Sequence, residues 1–80
     1  MITSFLLVET ENQLSNHAVY KRLDGMSSKL GIVRIYPLTG VHDFLLQVET
    51  QTIADLGKVY EKVRGLGGVL EVKLLTGKER

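Results

Sequence analysis

The chain contains no cysteine. Without thiols there is no disulfide framework, no thiolate metal site and no cysteine nucleophile, and a reducing, cytoplasmic setting fits best. Charge of one sign is missing as well: ten basic residues against nine acidic ones leave a formal net charge of +1. That balance excludes a disordered charged tail and a strongly basic nucleic-acid binder. Nor is there a long apolar run. The N-terminal MITSFLLVET lacks the basic start and small-residue cleavage pattern of a signal peptide, and it falls far short of the roughly 20 apolar residues that cross a bilayer. Residues 1–80 make one domain. A chain of this size buries only about 60% of its unfolded surface, so association is expected from the outset.

What is present reads as alternating strands and helices. Ile2 to Thr10 is a mostly apolar run closed by the polar cluster Glu11-Asn12-Gln13, which suits a buried strand and a loop. Val19, Leu23, Met26 and Leu30 then recur at helical steps, with Ser15 or Asn16 available as the N-cap and Gly31 placed to close the helix in a left-handed conformation. Gly25 lies inside this span at a cost of about 1 kcal/mol against alanine. Ile32 to Leu38 alternates as a strand, and its Pro37 cannot donate to a ladder, so the strand lies at an edge or ends there. Phe44 to Glu49 is a third strand. Thr52 stands three residues before Asp55, a capping-box variant, and opens a helix whose stripe is Ile53, Leu56, Tyr60 and Val63. Lys58, Lys62 and Arg64 complement its carbonyl end, glycines 65, 67 and 68 terminate it, and Val69 to Leu75 forms the last strand.

Two short phrases repeat. Val8-Glu9-Thr10 returns as Val48-Glu49-Thr50, and Leu38-Thr39-Gly40 returns as Leu75-Thr76-Gly77, so two strand-helix-strand halves follow one another. Right-handed crossovers in both halves give an α+β, ferredoxin-like βαββαβ fold: a four-stranded antiparallel sheet with two helices on one face. Strict alternation places Leu6, Val8, Val33, Ile35, Phe44, Leu46, Val48, Leu70 and Val72 against the helices. The opposite face then holds Phe5, Leu7, Ile32, Tyr36, Leu45, Val69 and Leu75 among Arg34, Gln47, Glu49, Glu71 and Lys73. So broad an apolar surface predicts packing on a second subunit about a two-fold axis, as a dimeric α+β barrel.

Chemistry-bearing residues are few. His42 and Asp43 are adjacent, so in extended chain they point to opposite faces and do not form a base with its orienting carboxylate. His17 and His42 lack a third ligand at a recognisable spacing, and no metal or cofactor is expected. Gly65, Gly67 and Gly68 follow a helix and lead into a strand, the reverse of a phosphate-binding loop. Neither inner strand carries the aromatic-rich pattern of an RNA-binding sheet. At the turn itself Gly40 supplies positive φ, and Asp43 bonds neighbouring amides.

The pattern Gly31-Ile32-Val33-x-x-Tyr36-x-x-Thr39-Gly40-x-x-Asp43-Phe44-Leu45-Leu46-x-Val48, followed by an amphipathic helix and Gly68-Val69-x-x-Val72, resembles the C-terminal effector (RAM) domain of the Lrp/AsnC regulators. The resemblance covers nearly the whole chain and implies a stand-alone form without the helix-turn-helix of those regulators. It further implies a non-enzymatic module that binds a small effector, usually an amino acid, between neighbouring dimers near the turn joining the second and third strands. Homodimers would assemble into an octamer or decamer, alone or with a helix-turn-helix-bearing relative, with no direct nucleic-acid or membrane binding. Carried onto this sequence, the ligand-binding positions are Thr39, Gly40, His42 and Asp43. Gly40 would let the backbone approach the ligand, Asp43 would meet an ammonium group or brace the turn, and Thr39 is a neighbour within the turn. Many relatives have an aromatic residue at the position of His42, so histidine would alter effector choice or add pH sensitivity near neutrality. Two alternatives share the strand order: an enzyme of the dimeric α+β barrel type using His42 or His17 as proton carrier, and an ACT-type amino-acid sensor, which lacks the Thr-Gly-x-x-Asp turn.

Overall fold

In the computed structural model, residues 1–38 and 43–76 are described. The elements are β1 (Ile2–Thr10), α1 (Gln13–Leu30), β2 (Ile32–Pro37), β3 (Phe44–Thr50), α2 (Ile53–Arg64) and β4 (Val69–Thr76). The strands form one antiparallel sheet in the order β2-β3-β1-β4, which is the ferredoxin-like βαββαβ arrangement. The central strands β1 and β3 alternate between buried and half-buried residues along their length. Their buried side chains Leu6, Val8, Leu46 and Val48 meet Val19 and Leu23 of α1 and Leu56, Val59 and Val63 of α2 in a single cluster. Both helices therefore cover the same face of the sheet.

Helix starts follow side-chain chemistry. Asn12, not Ser15 or Asn16, caps α1: it has extended backbone and its side chain accepts from the Ser15 amide at 2.9 Å. The loop cluster thus begins the helix three residues earlier than its apolar stripe suggests, and Leu14 in the first turn is exposed. Thr52 caps α2 as expected, accepting from the Asp55 amide at 3.0 Å. On α2 the inward stripe is Leu56, Val59 and Val63, with Tyr60 partly buried and its hydroxyl donating to the Val72 carbonyl. Ile53 stands 69% exposed, outside the core that its spacing suggests.

The expected division of the sheet faces changes at two places. Ile32 pairs with Val48 but Arg34 pairs with Gln47, so Val33 is the extra residue of a bulge. Thr10 pairs with Val69 but Glu9 pairs with Glu71, so Leu70 is extra in the same way. One inserted residue reverses the parity of side chains before it. Ile32 and Val69 consequently pack on the core, whereas Val33 and Leu70, expected inside, are 49% and 60% exposed. The two bulges occupy matching positions in the two half-repeats, each directly after a positive-φ glycine, Gly31 at 74° and Gly68 at 95°.

Gly31 also bonds across the sheet end: its carbonyl accepts from the Glu49 amide at 2.8 Å. A Cβ on Gly31 would collide with the Glu49 carbonyl oxygen, whereas a Cβ on Gly25 would meet nothing within 4 Å. Gly31→Ala is expected to destabilise the protein by at least about 2 kcal/mol, from left-handed strain plus the clash. Gly25→Ala is expected to stabilise it by about 0.5–1 kcal/mol. Urea midpoints moving in opposite directions for the two variants check both statements.

Candidate functional site at the hairpin joining β2 and β3

The site singled out by the sequence falls at the β2-β3 connection, and Asp43 is its described residue. The Leu38 amide donates to the Asp43 carbonyl at 2.8 Å, closing the hairpin, and the Asp43 amide donates to the Val8 carbonyl at 3.1 Å, extending the ladder onto β1. Its side chain continues the same work. Oδ2 of Asp43 accepts from the Thr10 amide at 2.6 Å and from the Thr10 hydroxyl at 2.7 Å. Thr10 is only 7% exposed. A carboxylate accepting two short bonds from one nearly buried residue ties the hairpin to the end of β1. Of the two roles implied for Asp43, the structure displays the brace.

Thr39, Gly40 and His42 lie outside the described residues. His17 is exposed on α1. Among the described residues, grooves open at other places on the surface. A small one of about 160 Å³ runs between α1 and β2, lined by Tyr20, Asp24, Ser27 and residues 32–35. A larger one of about 1110 Å³ lies along α2 and includes Leu30, Ile53, Tyr60 and Leu74. Neither is lined by a histidine. Among the described residues no group of three or more His, Cys, Asp or Glu is placed to hold a metal ion, and no helix is long and apolar enough to cross a membrane.

The internal repeat clarifies why Asp43 has no counterpart. The position equivalent to Asp43 after the second Leu-Thr-Gly is Arg80. The threonine equivalent to Thr10 is Thr50, whose buried hydroxyl has no hydrogen-bond partner among the described residues. The two halves thus share a backbone plan, but among the described residues a carboxylate satisfies the threonine of the first half alone. Spacing alone did not reveal this bond, because its partners are 33 residues apart.

The outer face of the sheet is laid out by strand register. One row across it reads Arg34, Gln47, Phe5, Leu75 and the next reads Tyr36, Leu45, Leu7, Lys73. Phe5, Leu7 and Leu45 lie on the central strands, and the edge strands present Arg34 and Lys73 as well as Tyr36 and Leu75. Phe5, Leu7 and Leu45 are half-buried, while Tyr36 and Leu75 are 41% and 46% exposed. The Tyr36 hydroxyl donates to Gln47 across this surface.

No protein-family model matches the sequence, and no curated protein matches it significantly. Solved structures do match. FFRP-DM1, of the Lrp/AsnC kind, superposes with a TM-score of 0.83 at 25% identity, over 98% of this chain and 100% of that one. The chain has the architecture of the Lrp/AsnC effector domain. This RAM-like domain also matches an AsnC family transcriptional regulator from Agrobacterium tumefaciens, with a TM-score of 0.72 at 22% identity over 99% of this chain, and spans about half (51%) of that protein's length. An ACT domain from the GTP pyrophosphokinase of Chlorobium tepidum shares the fold at a TM-score of 0.69 and 19% identity, covering 94% of this chain and 97% of that one.

Proposed function

We propose that this RAM-like domain, residues 1–80, is a regulatory module that binds a small effector, an amino acid, at a site completed by a second copy, and that it acts by changing its state of assembly. The observation that carries the reading is the outer sheet face, where Phe5, Leu7, Leu45, Tyr36 and Leu75 form an apolar patch that runs across the sheet and is flanked by Arg34 and Lys73. Fully burying one side chain of this kind contributes about 1.5–3 kcal/mol. Such a surface is what a two-fold interface requires, since each copy presents the same patch to the other.

On this reading Thr39, Gly40, His42 and Asp43 form one wall of the effector site. Backbone amides around Gly40 receive the carboxylate of the amino acid, and Asp43 fixes the hairpin that presents them by holding Thr10. The likeness to Lrp/AsnC regulators supports a role in regulation, exercised by dimers joined into larger rings or mixed with a helix-turn-helix-bearing relative. Calorimetric titration of the assembled protein with each amino acid tests the reading. Binding by at least one is expected, weakened more than tenfold by Gly40→Val, a loss above about 1.4 kcal/mol. If no amino acid binds the assembled protein, the sensor role fails.

A further inference from the structure

The unsatisfied hydroxyl of Thr50 is one of a pair. Ser4 is wholly buried, and its hydroxyl also has no hydrogen-bond partner among the described residues. Both side chains lie on the helix side of the sheet, because Ser4 falls in step with buried Leu6 and Val8, and Thr50 with buried Leu46 and Val48. Register makes them neighbours: Ser4 pairs with Val48, and Thr50 is the next residue on the same side of β3. Buried polar groups without partners are uncommon in native folds, and two at one place call for a shared one.

The place is the end of the sheet away from the hairpin, which closes on Thr10. The large groove along α2 opens there. Leu74 pairs with Leu6, the core-side residue next to Ser4 on β1, and yet is 42% exposed. Ile53, three residues after Thr50, is 69% exposed. Leu30 from the end of α1 and Leu56 add to the same apolar lining, so the groove is built by the strand and the helix ends that flank the two hydroxyls.

The first half of the chain shows which partner such a threonine takes. Thr10, the counterpart of Thr50 in the repeat, donates its hydroxyl to the Asp43 carboxylate at 2.7 Å. The surroundings of Thr50 suit the same charge. Ile53 and Ala54, both in the groove lining, are first-turn residues of α2 whose amides have no carbonyl to bond within the helix, and that end of a helix carries partial positive charge. Lys58 and Lys62 line the groove as well, while Glu61 beside them contacts Arg64 at 3.6 Å. Asp55 of the first turn is not part of the lining.

We propose that Ser4 and Thr50 form the polar end of a second ligand site, which takes an aliphatic monocarboxylate. Its carboxylate accepts from both hydroxyls, and its chain lies along Leu30, Ile53, Leu56 and Leu74. The two hydroxyl oxygens are closed to solvent, so binding turns the exposed side chains of Ile53 and Leu74 aside. The site is contained in one chain and is independent of the sheet pairing and of the effector site at the hairpin.

Hexanoate titrated into the isotope-labelled full chain and followed by amide NMR shifts tests the site, with 1-hexanol as the neutral control. Saturable shifts are expected at Ser4, Thr50, Ile53 and Leu74, and hexanol is expected to bind at least about tenfold more weakly. Thr50→Val and Ser4→Ala should each weaken hexanoate more than about fivefold. Both should melt no lower than the parent, since each deletes a buried hydroxyl that lacks a partner, so lost binding is not lost folding. Absence of saturable shifts in the parent, unchanged binding in both hydroxyl variants, or equal binding of hexanol would each overturn the proposal. Gly40→Val is expected to leave hexanoate binding intact. Hexanoate shifts confined to the hairpin and abolished by Gly40→Val would overturn this site while supporting the one at the hairpin.

Discussion

Leu45→Lys is expected to reduce the assembled protein to single chains of 8.9 kDa in light scattering at micromolar concentration. Leu45 sits on the outer face with Leu7 directly opposite on one side and Tyr36 on the other. A lysine there places an ammonium group in the middle of the proposed interface, once in each subunit. It removes an apolar anchor and adds the desolvation of two like charges. An uncompensated charge buried in this way costs about 3 kcal/mol or more, over a hundredfold in Kd. The separated chain still folds, because this side of the sheet takes no part in the core formed with the helices. Far-ultraviolet circular dichroism of the variant should therefore match that of the parent. Equal masses for parent and variant would remove the basis for an inter-subunit effector site.

The second large effect belongs to Asp43. Asp43→Ala deletes the acceptor of both Thr10 bonds and leaves the Thr10 amide unpaired in a residue 7% exposed. A hydrogen bond to a charged group contributes about 1.5–3 kcal/mol, and a stranded buried donor costs a further 1–3. A total near 3 kcal/mol corresponds to a melting temperature lower by roughly 15 °C for a domain of this size. Thr10→Val removes the hydroxyl but keeps the amide, so it should cost only about 1 kcal/mol. Combining the two should be milder than their sum, since both act on one network. All melts must be compared at one protein concentration, because association raises apparent stability. A melting temperature for Asp43→Ala within a few degrees of the parent would show that the brace contributes little.

The strand and helix order was legible because each element announces itself locally. The apolar stripe through Val19 and Leu23, the Thr52-Asp55 cap and the left-handed Gly31 depend on residues within a turn or two of one another. The bulges at Val33 and Leu70 were hidden for a different reason. Val33 and Leu70 are as apolar as Ile32 and Val69, so alternation gives no sign of which residue is inserted, and only pairing with the neighbouring strand decides it. Ile53 misled by completing a helical stripe beyond the point where the sheet supports it. At the candidate site, the Thr-Gly-x-x-Asp pattern located the hairpin, but the partner of its carboxylate depended on bringing β1 against β3. That contact is a property of the topology and leaves no trace in the spacing of either residue.

The matched bulges limit how the margins of this sheet can be extended. A molecule that associates through a sheet face also carries two bare margins, β2 and β4, whose open backbone groups invite endless addition of further strands. An inserted residue at the start of each margin skews the strand, and Pro37 removes a donor from the end of β2. Flat, regular borders would favour fibres. Kinked ones disfavour that route, so the residues that place the two bulges also guard the sheet against filaments.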